Sequence, residues 1–259
     1  MRLIVLAAGT GSRLAPLTDD RPKCLVELGG KPLLQWILDA AAAAGIEEVV
    51  VVGGYRAAQL RDFDVTLVVN KDYATTNMVH TLFMARDHFG DGFIMSYGDI
   101  VYAPTVLRRL VEAPQGIYVV VDRQWRSYWE QRFDDPLQDA ETLRFGADGG
   151  IIEIGSEPTS YDQIEAQYIG LVSFRGDGVE SLDAAMSAAR QADAEGRTPF
   201  GYPRPLENIY MTDLLQGIVT LGRHLYPLPI DGRWVEVDSP RDLVVAEELL
   251  AAGRLDPAD

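Results

Sequence analysis

The stretch Leu6–Lys23, LAAGTGSRLAPLTDDRPK, directly follows the first apolar run of the chain and decides how the rest is read. Glycines at 9 and 11 let successive backbone N–H groups converge on phosphate oxygens, because no side chain blocks the approach. Two common phosphate loops are excluded. Leu14 stands where a dinucleotide-binding turn needs its third glycine, and no Gly-Lys-Ser/Thr follows at the Walker spacing. What remains is Gly9, Gly11, Ser12 and Arg13, then Pro16-Leu17-Thr18, then Pro22-Lys23: amides and two cations suited to a polyanion.

Such a cluster is unusual for this chain. Over 259 residues the formal net charge is −16, which repels nucleic acid and anionic membranes, so any phosphate site must be a local concentration of donors, cations or metal. The chain has three lysines, and two of them, Lys23 and Lys31, lie beside the loop. With 47% hydrophobic and 24% charged residues the composition is that of a globular enzyme-sized protein. No apolar run approaches the roughly 18 residues of a membrane span. Neither a signal core nor a targeting segment is seen, so a cytoplasmic location is expected. The single cysteine, Cys24, excludes an internal disulfide and a thiolate metal site, and the three histidines lack ligand spacing and are taken as structural.

Outward from the loop, short apolar runs alternate with helical patterns. Leu3–Ala7, Val49–Val52, Val65–Val69, Phe93–Tyr97 and Ile117–Val121 are expected strands. Pro32–Ala44, Asn77–Phe89 and Pro104–Glu112 are expected helices between them. The alternation implies an α/β fold, a largely parallel sheet with helices on both faces. From Asp122 to Ile164 the pattern turns polar, aromatic and turn-rich, and is read as an insertion over the sheet edge. A strand at Tyr168–Phe174, helices at Gly178–Ala194 and Thr212–Gly222 (capped by Thr212), a strand at Trp234–Val237 and a last helix complete the chain. Ser239 is the expected cap of that last helix, with Pro240 first and Asp242 in its first turn.

The longer stretch LAAGTGSRLAPLTDDRPKCLVELGGKPLL resembles the N-terminal signature of the nucleotidyltransferases that join a nucleoside triphosphate to a phosphorylated acceptor and release pyrophosphate. SYGDI resembles the strand-end Gly-Asp of that superfamily, and WVEVDSPRDL its late Val-Asp before a helix. NKDYATTNMVHTLFMA and AQYIGLVSF are similar to the cytidylyltransferases that act on phosphocholine, phosphonates and other small phosphorylated acceptors. The resemblance implies a GT-A-like, Rossmann-like mixed and mostly parallel sheet. It also implies one nucleotidyltransferase domain over 1–259, with an acceptor-side insertion at about 122–165.

Both reactants in such a transfer are anions, so catalysis is mostly positioning and electrostatics. Asp99 and Asp238 each follow a strand and would hold Mg2+ together with substrate phosphates and water. Arg13 would grip the leaving phosphates and Lys23 would place a compact charge by the reacting one. The nucleotide site is expected at Leu6, Ala7, Ala8, Gly9, Thr10, Gly11, Ser12, Arg13 and Lys23, with Gly98 and Asp99. Gly53, Tyr55, Thr76 and Asn77 would surround a pyrimidine, and the resemblance favours CTP. For the acceptor, Arg123, Trp125, Trp129, Glu141, Glu165 and Tyr168 offer aromatic faces, carboxylates and one cation for a phosphorylated amine. Tyr102, Glu207 and Asp213 are weaker candidates. Two alternatives stay open: a sugar 1-phosphate enzyme using UTP, GTP or dTTP, and a catalytically silent nucleotide-binding module. A homo-oligomer also remains open.

Overall fold

Strands whose residues are apolar at every position must be covered on both faces, and the first strand shows how this chain does it. In the computed structural model, which describes residues 1–255, Leu3, Val5 and Ala7 point into one core while Ile4 and Leu6 point into the other.

In chain order the elements are β1 (Arg2–Ala7), β2 (Glu27–Leu28), β3 (Lys31–Pro32), α1 (Leu33–Ala43), β4 (Glu48–Gly53), β5 (Thr66–Val69), α2 (Met78–Met84), β6 (Gly92–Tyr97), β7 (Ile100–Tyr102), α3 (Pro104–Glu112) and β8 (Gly116–Asp122). There follow α4 (Trp125–Arg132), β9 (Leu143–Phe145), β10 (Ile151–Ile154), β11 (Gln167–Arg175), α5 (Asp177–Ala194), α6 (Met211–Thr220), β12 (Leu225–Ile230), β13 (Trp234–Glu236) and α7 (Pro240–Ala251). The central sheet has the order β12-β8-β11-β6-β1-β4-β5. Only β11 runs antiparallel to its neighbours, so the sheet is mixed and mostly parallel.

After β1 the chain moves to β4 and β5 on one side and then returns to β6 on the other. That reversal opens a crevice beyond the carboxyl ends of β1 and β6, where open α/β sheets bind ligands. The Gly9 loop leaves one edge of the crevice and Gly98-Asp99 the other. A separate antiparallel pair, β7 with β13, closes it: Val237 N–H donates to Asp99 O at 3.0 Å, so Asp238 arrives beside Asp99 from far along the chain.

Several local expectations are corrected. Asn77–Phe89 is not one helix: α2 stops at Met84 and a 3-10 turn, Arg86–His88, follows. Thr212 does not cap α6; Tyr210 holds the cap position and the Asp213 carboxylate accepts its N–H at 2.7 Å. The expected late strand forms as Trp234–Glu236 and pairs with β7, outside the central sheet. Within 122–165, α4 buries Trp125, Tyr128 and Trp129 in the core, with Trp234 packed edge-on against Tyr128. Trp125 and Tyr128 are therefore core residues, while Trp129 and Trp234 also reach the wall of a cavity. The cap of α7 is as expected, with Ser239 and Asp242 forming a reciprocal capping box.

Candidate active site

The opening loop is shaped by one backbone turn. Gly11 has φ +64°, a conformation that favours glycine, and a methyl group there would lie 2.9 Å from Lys23 Cβ. Thr18 Oγ1 donates to Gly11 O at 2.8 Å and ties the loop to the segment carrying Pro16-Leu17-Thr18. At Gly9 a methyl group would meet no other atom within 4 Å, so this backbone faces open space on the ligand side. Gly98 is required for a different reason: a methyl group would lie 2.9 Å from Leu6 O, and only glycine lets Asp99 sit against the end of β1.

Lys23 and the two aspartates meet in the crevice. Lys23 Nζ lies 2.5 Å from Asp99 Oδ2 and also bonds Asp238 Oδ1, while Arg13 pairs with Asp238 Oδ2. The Lys23, Asp99 and Asp238 side chains are 14%, 20% and 13% exposed, whereas Arg13 is 69% exposed and reaches over the mouth. Burial alone would lower the Lys23 pKa, but the Asp99 and Asp238 charges outweigh it and raise it, so the ammonium is held charged. Buried Cys24 nearby has its thiol pushed up to about 12 by desolvation and is no nucleophile.

A third carboxylate, Glu236, was not anticipated. It lines the same crevice and bonds Arg132 at 2.8 Å, and Arg132 in turn bonds Asp242 at 2.8 Å. Burial pushes the Glu236 carboxyl up to about 7 against the pull of Arg132, with the Asp99 charge adding to the rise. The donor set fits a hard divalent cation. All donors are oxygens, and Asp99 Oδ1 is buried with no hydrogen-bond partner, as expected of an atom reserved for a ligand. Among the described residues no cluster of three or more ligand-type side chains is assembled, so substrate phosphates and water would complete the coordination, as Mg2+ commonly requires.

Three adjoining cavities form one cleft. The end at the glycine loop, about 270 Å³, is lined by Gly9, Gly11, Ser12, Arg13, Lys23, Gly98, Asp99 and Asp238. A second cavity of about 250 Å³ shares Arg13, Asp99 and Asp238 and reaches Ala8, Tyr73, Thr76 and Asn77. The third, about 780 Å³, begins at Arg13 and runs past Tyr97 to Glu141, Tyr168 and Arg204.

Most expected nucleotide residues lie in the first two cavities. Thr10 is exposed and lines neither. Gly53 and Tyr55 stand behind the loop instead of in the cleft. Tyr55 N–H donates to Ala8 O at 3.0 Å and its hydroxyl to Asp19 O at 2.8 Å, so both ends of the loop are tied to this turn. The glycine that permits the approach is Gly54, where a methyl group would lie 2.7 Å from Ala8 O. Asn77 Oδ1 caps α2 while lining the cleft.

Of the acceptor candidates, the structure brings together Glu141 and Tyr168, with Trp129 at the wall. It does not bring Arg123, Trp125 or Glu165 there. Arg123 is exposed and paired with Asp231 at 3.1 Å. Trp125 packs on Trp129 in the core, and the Glu165 carboxylate accepts the Phe145 N–H at 3.4 Å. Tyr102 is core, bonded to Ser96, and Asp213 serves the α6 cap.

Comparison with known proteins gives the cleft its context. A family model described as the MobA-like NTP transferase domain matches residues 3–144. A CTP:phosphoglutamine cytidylyltransferase of Campylobacter jejuni subsp. jejuni is 39% identical over 259 residues, covering 96% of this chain and all of that one. Among solved structures, the CTP:phosphocholine cytidylyltransferase of Streptococcus pneumoniae superposes with a TM-score of 0.73 at 21% identity, covering 96% of this chain and 98% of that one. An apo UDP-glucose pyrophosphorylase superposes with a TM-score of 0.76 at 17% identity, covering 98% of this chain and 99% of that one. The two structures share the fold with this chain.

Proposed function

This chain belongs to the family of MobA-like NTP transferase domains and is a nucleotidyltransferase, and from that premise we propose that it transfers CMP from CTP to a small phosphorylated acceptor. One acceptor phosphate or phosphonate oxygen attacks the α-phosphorus in line. The bond from that phosphorus to the oxygen bridging to the β-phosphate breaks, and pyrophosphate leaves opposite. CTP is favoured because the full-length relative named above uses it. The observation that carries the reading is the joining of Asp99 and Asp238 by Lys23 at the mouth of a glycine loop.

In this reading the Gly9–Ser12 amides and Arg13 hold the leaving phosphates, and Thr76 and Asn77 lie toward the base. Asp99 and Asp238 would hold Mg2+, with Glu236 lining the same crevice, and the ion would supply charge neutralisation for the phosphates. Lys23, kept charged by both aspartates, would present its ammonium to the reacting phosphate. We take the chain as one domain, its 122–165 segment contributing the acceptor side. Among the described residues no helix is long and apolar enough to cross a membrane.

The test is pyrophosphate release from each of the four triphosphates with phosphoglutamine, phosphocholine, 2-aminoethylphosphonate and glucose 1-phosphate. CTP with one of the first three is expected to give pyrophosphate and a CDP- or CMP-linked product by mass, and chelation is expected to stop it. Turnover only with a sugar phosphate would overturn the acceptor class.

A further inference from the structure

The largest of the three cleft cavities ends in two side chains of opposite charge that the transfer reaction does not use. Glu141 and Arg204 both line it, far from the glycine loop in sequence. Consecutive residues of the first turn of α6 fix them. Thr212 Oγ1 donates to Glu141 Oε1 at 3.3 Å, and Asp213 accepts from Arg204 Nη1 at 2.8 Å. Glu141 is held by its main chain as well. Its N–H donates to Gln167 Oε1 at 3.1 Å and its carbonyl accepts from Gln167 Nε2. Gln167 is therefore a positioning residue for that carboxylate.

These groups are incompletely satisfied. Among the described residues the hydrogen bond to the Glu141 carboxylate comes from a neutral hydroxyl and no ion pair is made to it; burial pushes it up to about 7, against the weaker pull of the Arg204 charge. The Tyr168 hydroxyl, on the same wall, is buried and, among the described residues, makes no hydrogen bond of good geometry, the Tyr97 hydroxyl being its polar neighbour. A buried carboxylate beside an unpartnered hydroxyl is complemented by a group that is both cationic and an N–H donor. A primary ammonium fits that description; a trimethylammonium has no N–H to give. Arg204 presents the opposite demand. Its guanidinium stacks 3.8 Å from the Tyr210 ring centre, and the bond to Asp213 uses one N–H of a fork that carries five. Asp213 also accepts the Tyr210 N–H, so part of its charge is spent on the helix cap. The remaining fork suits a carboxylate.

We propose that Glu141 with Tyr168, and Arg204, form a subsite that reads an α-ammonium and a carboxylate, so that the acceptor is a phosphorylated or phosphono amino acid. This rests on the cytidylyltransferase reading for the other end of the acceptor, which lies toward Arg13 and Lys23. The subsite selects such acceptors over amines that lack the carboxylate and over acids that lack the amine.

The probes are 2-amino-4-phosphonobutyrate, 3-aminopropylphosphonate, which lacks only the carboxylate, and 4-phosphonobutyrate, which lacks only the amine. Binding to the full chain is measured by calorimetry with Mg2+ and a non-hydrolysable CTP analogue, and pyrophosphate release is measured in parallel with CTP. The amino acid is expected to bind at least about 10-fold more tightly than either truncated probe, the size of one charge-assisted hydrogen bond set. Arg204→Lys keeps the charge beside Asp213 but loses the fork, and is expected to erase the advantage over 3-aminopropylphosphonate alone. Glu141→Gln keeps the bond to Thr212 and is expected to erase the advantage over 4-phosphonobutyrate alone. Both variants should bind the nucleotide as the parent does, which separates a lost subsite from a lost fold. Equal affinity for the three probes, or no binding of any, overturns the subsite. The binding hierarchy without pyrophosphate release would leave the subsite standing and remove the transfer reading.

Discussion

The two ends of the cleft are built by different rules. At the phosphate end, a single run of sequence, Gly9–Lys23, supplies the turn and both cations, and two aspartates neutralise them. At the acceptor end, Glu141, Tyr168 and Arg204 come from three separate segments and are held by Gln167, Thr212 and Asp213. One end is a dense knot of paired charge that keeps a single aspartate oxygen, Asp99 Oδ1, without a partner; the other gives the Glu141 carboxylate a neutral hydroxyl and no ion pair among the described residues. The contrast indicates where the chain commits its chemistry and where it leaves room for selectivity.

The contrast can be broken most sharply at the knot. Asp99→Asn keeps the side-chain shape but removes the orphaned anionic oxygen and one partner of Lys23. It is expected to lower kcat by about 10³-fold with melting temperature little changed. Activity within tenfold of the parent, measured as pyrophosphate release at saturating Mg2+, would mean the knot is structural.

A smaller effect sharpens the acceptor end. The folded Glu141 carboxyl sits at about 7 instead of the ordinary 4.5, because burial disfavours its charge. Below pH 4.5 folded and unfolded chains both hold that proton. Between there and pH 7 the unfolded chain has released it and the folded chain has not. Stability therefore falls with rising pH across that window and flattens above it. Glu141→Gln is expected to remove this slope, gaining less than about 3 kcal/mol at pH 8 and nothing near pH 4. Denaturant unfolding at the two pH values checks it; a variant no more stable at pH 8 than the parent would place a cation on Glu141 in the free protein.

The smallest effect lies outside the cleft. Arg123→Ala breaks an exposed pair with Asp231 and is expected to cost under about 1 kcal/mol, with acceptor KM unchanged within twofold. A tenfold rise in that KM would extend the acceptor site beyond its present walls.

The strands of the parallel core were legible to within a residue or two, because burial on both faces leaves an uninterrupted apolar run. β12 was not. Pro227 and Pro229 interrupt its pattern, and the structure puts it at the sheet edge, where a strand tolerates residues that cannot donate to a second neighbour. The aromatic segment after Asp122 looked ligand-like because Trp and Tyr serve both packing and recognition; the fold buries Trp125 and Tyr128 in the core and brings Trp129 to the cavity wall as well.

The sequence carried the expectation of a phosphate loop and of two aspartates beside it, together with a largely parallel α/β sheet; a glycine turn cradles anions through its own neighbouring amides and needs no distant residue. Glu236 against Arg132, and Arg204 against Asp213, carry no local signature: nothing along the chain marks which charges will meet. That was decided only when β13 paired with β7 and α6 turned its first residues toward Glu141. Charge pairing acts through space at a few ångströms, and sequence distance does not record it.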